Sequence, residues 1–596
     1  MGRTVFALAA AGAALNVVAF GGVRADEPRA TVEGVEDRAL REAIVTAIGR
    51  ADTAPASRFE ARRRARDAGE NAISVLRSEG YYGHDVEADL AEGDRLLPVV
   101  RVTPGQRFNF TDSKITWVET PPADEVAAAA EKAMGLAAGA PGRSADVLGA
   151  EGRILATIQK RGYADAQAQP REVIVDHADH TVRPDFRIDA GELVRLDGLD
   201  LSSDGRTKRW WIENLAPWKP GDVYDPEDVA ELERRLRDTA VYDSVTVALS
   251  PIDAKTPEGL RPVVVSVADR ARRTIELGAG FSTSEGAGLD GRWTRYNRFG
   301  RGDTLRITGR LANLERRLDA EVALPHWRKP QRTLRVGGAI FDEDTDAYAD
   351  TGVGVRTDLT RRFGRISFLT VGAALDASQI ADKTDVNGFV VGQERNLLTL
   401  TTLGALNWDA SDDPLDPKRG WRVEVRGEPT FVTGDDSITY LKTQAQVTGY
   451  LPISKEAKTV LAGRAKAGLI VGGRIPSVPG SRRFFAGGGG SIRGYAFQGV
   501  GPRLSDNTPQ GGLSLLEASF EVRQRITGPW GMVAFVDAGA VGTNEFPKTR
   551  DFSAGAGVGV RYDLGFGPIR ADIAVPLDKR EGDPSFQVYL SIGQSF

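Results

Sequence analysis

The chain has 596 residues, with 77 Lys and Arg against 82 Asp and Glu, a net charge of −5, four histidines and no cysteine. Disulfides, thiolate metal sites and cysteine nucleophiles are therefore excluded, a histidine metal centre has little to work with, and no global basic field points to nucleic acid. A mean hydropathy of −0.28 excludes a bundle of membrane helices, which needs repeated apolar runs of about 20 residues. It leaves open a membrane β-barrel, whose strands carry polar residues at alternate positions.

Residues 1–25 read as a secretory signal. Arg3 supplies the positive start, Val5 to Phe20 is apolar apart from Gly12 and Asn16, and Val23-Arg24-Ala25 sets small residues at the cleavage positions before Asp26. A membrane anchor would need a longer run with less glycine. Export of a cysteine-free chain suits a bacterial envelope protein that does not rely on oxidative folding.

Residues 26–272 repeat themselves at a spacing of about 80 residues. Three helical stretches end in Leu76-Arg77-Ser78-Glu79-Gly80-Tyr81-Tyr82, in Ile158-Gln159-Lys160-Arg161-Gly162-Tyr163-Ala164 and in Leu236-Arg237-Asp238-Thr239-Ala240-Val241-Tyr242-Asp243. Strand-like stretches follow each, among them Leu97 to Val102, Arg183 to Ile188 and Pro262 to Val267. Each new unit opens with a strand, such as Phe108 to Val118 or Leu193 to Leu201. The units thus read β-α-α-β-β over 26–105, 106–191 and 192–272. Leu40, Ile44 and Ile48 form one apolar helix row, while Val229, Glu233 and Arg237 are read as a row on the opposite kind of face. Asp225-Pro226-Glu227 has the form of a helix start. Small sheets of this kind keep open edges that can pair with an extended peptide; inert spacers are the alternative.

From 273 to 596 the period becomes two. Leu516, Ala518, Phe520 and Val522 share one face, against Glu517, Ser519, Glu521 and Arg523. Ala554, Ala556, Val558, Val560 and Tyr562 oppose Ser553, Gly555, Gly557, Gly559 and Arg561. Phe586, Val588, Leu590, Ile592 and Phe596 oppose Ser585, Gln587, Tyr589, Ser591 and Ser595. One apolar face and one charged or small face is the pattern of a lipid-facing barrel with a polar lumen. At about 20 residues per strand and connection, the segment gives about 16 antiparallel strands. Thr274 to Ser282 is expected as the first and Ser585 to Phe596 as the last, with Phe596 as the outward aromatic of a C-terminal barrel signal.

Gly487-Gly488-Gly489-Gly490-Ser491-Ile492-Arg493-Gly494-Tyr495, preceded by Arg482-Arg483-Phe484-Phe485-Ala486, reads on its own as a surface loop. Two carboxylates change that. Glu521 lies on the polar face of its strand, and Asp537 in Phe535-Val536-Asp537-Ala538-Gly539 opposes Val536 and Ala538. Carboxylates inside a lumen call for a cation, and a loop folded inward with Arg493 supplies one.

Arg-Phe-Phe-Ala-Gly-Gly followed by Ser-Ile-Arg-Gly-Tyr closely resembles the sixth extracellular loop of the BamA/TamA superfamily of outer-membrane insertases. The three repeats look like periplasmic POTRA domains. Asn297-Arg298-Phe299-Gly300-Arg301-Gly302 and Asp412-Asp413-Pro414 through Pro417-Lys418-Arg419-Gly420 look like two of the family's turns, and Phe535 to Gly539 resembles the strand whose aspartate receives the loop arginine. Three repeats and this length are most similar to the TamA branch. The resemblance implies a non-enzymatic insertase without cofactor or nucleotide. Arg493, Gly494 and Tyr495 would form the lumen loop, with Asp537 and Glu521 as partners of the arginine. Its clients would be unfolded outer-membrane proteins such as autotransporters, exchanged at a lateral seam in contact with outer-membrane lipid. A TamB-like periplasmic protein would be its partner, docked at the first repeat. A two-partner-type secretion pore is the alternative, and a passive porin would leave the repeats unexplained. No Gly-x-Ser-x-Gly, phosphate-loop or metalloprotease motif is present. His177 and His180, with Asp176 and Asp179, are read as a solvated turn rather than a metal site.

Overall fold

The computed structural model describes residues 27–51, 53–91, 96–202, 205–364, 366–386, 389–454, 456–548, 551–565 and 568–592. The expected signal segment and Phe596 lie outside them. The described chain divides into two compact units. One holds the residues up to Leu196 with Pro220–Glu227 and Lys255–Arg261; the other holds the remainder, so most of the third repeat clusters with the C-terminal segment.

Each repeat carries a small sheet packed with helices, and the first has a two-stranded pair, Glu27–Pro28 with Arg50–Ala51, besides. In the first, Pro98–Thr103 runs parallel to Thr31–Glu33 and antiparallel to Asp85–Leu90. Arg38–Ile48 begins where Asp37 Oδ1 accepts the Ala39 and Leu40 amides at 2.8 and 3.3 Å, and it buries Leu40, Ile44 and Ile48. Arg58–Ser78 buries the small residues Ala61, Ala65, Ala68 and Ala72, then Leu76, so that it lies close on the sheet. In the second, Thr181–Asp189 is central, parallel to Lys114–Trp117 and antiparallel to Glu172–Asp176. The strand expected over Phe108 to Val118 is broken into Asn109–Phe110 and Lys114–Trp117, because Asp112 between them takes a positive φ of 46°. In the third, Arg261–Asp269 lies between Leu196–Leu201 and Tyr242–Leu249.

The repeat signature has a backbone cause. Gly80, Gly162 and Ala240 occupy its equivalent position, and all three have positive φ, of 90°, 99° and 57°. Each marks where the chain leaves a helix in the left-handed conformation. The helix start at Asp225-Pro226-Glu227 is present: the helix begins at Pro226 and Asp225 Oδ1 accepts the Glu227 amide at 2.8 Å. The face assignment of that helix needs correction. Val229 is buried with Leu232 and Leu236, whereas Glu233 and Arg237 pair on the exposed side; a row four apart drifts around a helix of 3.6 residues per turn. His177 and His180 pack edge-on against Phe108 at 5.2 and 5.1 Å, and Asp176 Oδ1 accepts the Ala178 amide. Among the described residues no cluster suits a metal ion.

Residues 273–592 form a closed barrel of sixteen strands joined in chain order. Alternation follows the sequence: Leu516, Phe520, Val536, Val558, Val560 and Leu590 are exposed on the outside, while Glu517, Ser519, Glu521, Asp537 and Arg561 are buried inside. No helix is long and apolar enough to cross a membrane; the strands do so, and closure leaves backbone polar groups paired.

The third repeat is fastened to the turn end of the barrel. Asn297 Nδ2 donates to Thr207 Oγ1 at 2.7 Å, and that hydroxyl also meets the Tyr242 hydroxyl at 2.5 Å. Burial pushes the Tyr242 phenol up to about 12. The Lys208 amide donates to Gly300 O at 2.9 Å, and Arg362 pairs with Asp238 at 2.6 Å. His326 Nε2 meets Arg235 O at 2.8 Å, while the Gln331 amide donates to its Nδ1 at 3.1 Å. The ring is therefore the neutral tautomer with its proton on Nε2. Burial holds its pKa below the ordinary value of 6.5 against the smaller opposing effect of the Arg235 carbonyl. Protonating Nδ1 would set it against the Gln331 N–H. Because the folded pKa is depressed, this stabilisation is present above about 6.5 and is lost as pH falls through the lowered folded value. Hydrogen exchange over 326–331 is expected to accelerate between neutral pH and about pH 5 beyond the intrinsic trend, and the excess is expected to vanish in His326→Gln.

Candidate functional site

The connection from Gly472 to Leu513 folds into the barrel and is packed there by the strands that flank it. Phe484, Ala486, Ile492, Tyr495 and Val500 join Leu515 and Val541 in one buried apolar cluster. Arg493 is 2% exposed. Its Nε and Nη2 grip Asp537 at 2.7 and 2.9 Å, and its backbone amide donates to the same carboxylate at 3.1 Å. Nη1 reaches Glu521 at 2.8 Å and Asp572 at 3.4 Å. The guanidinium carbon lies 3.4 Å from the centroid of the Phe535 ring. Both carboxylates named from parity are thus on the loop arginine, and a third joins them.

The charges are not equally shared. Glu521 also holds Arg523 at 2.9 Å, and Asp572 also holds Arg561 and Arg570. Among the described residues Asp537 has no ion-pair partner besides Arg493. Asp537 is therefore the group most dependent on the loop, and a bidentate fork is the geometry that arginine matches best.

Gly494 and Tyr495 extend the anchorage toward the end of the chain. Gly494 has φ of 101°, and a side-chain carbon there would stand 2.7 Å from Val575 backbone atoms, so glycine fits for both conformation and space. The Tyr495 hydroxyl donates toward Ala554 O and Asp578 O, each at 3.1 Å. The Gly494 amide donates to the Tyr589 hydroxyl at 3.1 Å, which in turn donates to Tyr495 O at 3.3 Å. Tyr589 belongs to the last strand, so one side chain joins the loop to the barrel's edge.

A second anchorage was not anticipated. Arg482 pairs with Asp376 at 2.6 Å. Arg483 lies 3.7 Å from Asp382, whose Oδ1 accepts the Gly480 amide at 2.9 Å and whose other oxygen pairs with Arg395. Arg395 also reaches Asp436 at 3.0 Å. Arg464 donates to Gly490 O and Ser491 O at 3.0 and 3.1 Å. Inward parity could have revealed Asp572 and Arg464, just as it revealed Glu521. Asp382 and Arg395 lie on adjacent strands of one hairpin, but Arg483 is remote from both in sequence, and only the fold brings the loop to them.

Among the described residues the ladder across the seam is the shortest in the barrel. The first strand, Arg273–Ser282, pairs with the second at ten positions. With the last strand, Gln587–Ile592, it pairs among the described residues only at Phe281↔Leu590 and Ser282↔Tyr589. The last strand pairs with its predecessor at six positions. Gly280 has nothing within contact distance of a prospective side chain. A cavity of about 240 Å³ opens beside the seam, lined in part by Phe281, Glu285, Gly489 and Tyr589.

The Omp85 superfamily domain matches residues 297–596. The chain belongs to the Omp85 superfamily. This Omp85 protein is 22% identical over 541 residues to the outer membrane protein assembly factor BamA of Neorickettsia risticii, covering 87% of the chain and 70% of that relative. It is 22% identical over 505 residues to BamA of Neisseria meningitidis, covering 74% and 62%. The chain thus spans about two thirds of these relatives' length. The crystal structure of BamA from Haemophilus ducreyi lacking POTRA domains 1–3 superposes with a TM-score of 0.66 at 20% identity, covering 82% of this chain and all of that one. At that identity the likeness establishes the fold of this Omp85 protein: a transmembrane barrel preceded by POTRA-like α+β domains.

The latch yields a first test. Tyr589→Phe removes the hydroxyl shared by Gly494 and Tyr495 while leaving the ring. A lost hydrogen bond of this kind contributes about 1 kcal/mol. Hydrogen exchange at Gly494 and along the last strand is expected to rise, while the far wall near Phe389–Asp409 stays protected.

Proposed function

We propose that this chain is an outer-membrane insertase that helps other β-barrel proteins fold by exchanging strands at its seam. It resides in the outer membrane of a Gram-negative bacterium, with its N-terminal domains in the periplasm. The observation that carries the reading is the ladder between the first and last strands, which among the described residues holds two positions where every other pair of neighbours holds six or more. Among the described residues no strand pairs with the seam side of Arg273 to Gly280, and such an edge is a template for another strand. Closure of the client barrel, which satisfies its backbone in lipid, would supply the free energy without nucleotide or catalytic chemistry. The loop latch holds the last strand beside the point that opens, through Tyr589.

The TamA-like part of the reading rests on three POTRA-like repeats, taken as 26–105, 106–191 and 192–272. It brings autotransporters as clients and a TamB-like periplasmic protein as partner, docked at the first repeat. Site-specific photocrosslinking from the first repeat in intact cells tests it. A high-mass product containing a TamB-like protein is expected; products with a large secreted exoprotein alone would favour a secretion pore. Depletion of the chain is expected to lower the surface level of folded autotransporters.

A further inference from the structure

A second cavity, of about 510 Å³, lies at the turn end of the barrel, where the short helix Arg209–Glu213 of the third repeat meets the turn from Leu324 to Pro330. Its walls combine aromatic rings with cations. Arg301 lies over the Trp210 ring at 5.3 Å, and Arg328 lies over Trp327 at 5.8 Å. Lys329 completes the rim, and no carboxylate lines the cavity. Among the described residues Arg301, Arg328 and Lys329 have no ion-pair partner, although arginines elsewhere in the chain are paired repeatedly.

The height of the cavity follows from the barrel. Trp408 with Trp421, and Trp530 with Tyr562, meet edge to face at the same end of the wall at 5.2 and 4.8 Å and are exposed. Exposed tryptophan and tyrosine in a belt mark the headgroup level of a bilayer. Leu324, which lines the cavity, has the parity of the exposed Leu318 in the strand Glu315–Leu324. The cavity therefore opens toward the lipid side of the wall. Unpaired cations beside amphipathic rings at that level suit a phosphate carried on an acyl anchor.

We propose that this cavity binds the headgroup of an anionic phospholipid in the leaflet facing the N-terminal domains. The lipid bridges the third repeat and the barrel where both are already joined through Thr207 and Asn297. The inference stands independently of the insertase reading, since it concerns binding and not client assembly.

The test titrates lipid-stripped, full-length protein with short-chain phosphatidylglycerol, phosphatidylethanolamine and inorganic phosphate, read by native mass spectrometry. Wild type is expected to prefer phosphatidylglycerol, with the affinity falling about fivefold for each cation removed in Arg301→Gln, Arg328→Gln and Lys329→Gln. The heat-dependent gel shift of the barrel checks folding of each variant. If these variants fail to fold, the exposed single change Lys329→Glu carries the test, with at least the same fivefold loss. Equal binding of the two lipids, or a preference unchanged in the variants, would overturn the proposal. Full competition by inorganic phosphate would also overturn it, marking a free-anion site instead.

Discussion

Arg493→Ala is expected to destabilise the barrel by about 3–5 kcal/mol, the range for removing one partner of a buried ion pair. The loss arises from the partner left behind. Glu521 keeps Arg523, and Asp572 keeps Arg561 and Arg570, but Asp537 loses its fork of hydrogen bonds while remaining fully buried. Most of the effect should therefore disappear when the stranded charge is neutralised. Arg493→Ala combined with Asp537→Asn is expected to melt above Arg493→Ala alone, although it lacks more of the native network. Heat-dependent gel mobility across the cycle of single and double variants measures this. Additive losses would show that Asp537 does not depend on the loop.

A disulfide across the seam is expected to abolish client assembly. The register supplies the positions: Phe281 faces Leu590. Leu277, a position attractive from sequence, stands four residues before Phe281 on the same strand and so does not face Leu590. The chain has no native cysteine, so Phe281→Cys with Leu590→Cys forms a single defined bond under oxidation. Autotransporter assembly is expected to fall to background in the oxidised protein and to return on reduction, while each single cysteine variant behaves as wild type. Wild-type assembly in the locked protein would exclude lateral opening. A secretion pore would tolerate the lock, because its cargo leaves through the lumen.

Much of this architecture is legible in residues. Strand parity is a local property, so the inward row of Glu517, Ser519, Glu521 and Arg523 could be read directly, and a closed barrel gives inward side chains a common space. That is why Arg493 could be assigned to Glu521 and Asp537 from alternation and charge. The same reasoning stopped short of Asp572, although Arg570 and Asp572 share its parity in Pro568–Pro576. It had no access to the Arg395 and Asp382 anchorage, whose contact with Arg483 depends on how far the loop enters. Helix rows proved less secure: reading Val229 with Glu233 and Arg237 ignored the drift that places Val229 with Leu232 and Leu236. The break at Asp112 was hidden for another reason, because a left-handed aspartate leaves no trace in hydrophobic alternation.

The measurement that bears most directly on strand exchange at the seam is disulfide trapping of a stalled client. A barrel client with single cysteines along its final strand would be arrested during assembly. It would be tested against cysteines at Leu277 or Gly278 on the edge of the first strand, and at Asp319 or Glu321 on the inner wall. The account predicts cross-links to the edge positions in one register, with none to the inner wall. Cross-links confined to Asp319 and Glu321, with Leu277 and Gly278 silent, would contradict it and place the client inside the lumen.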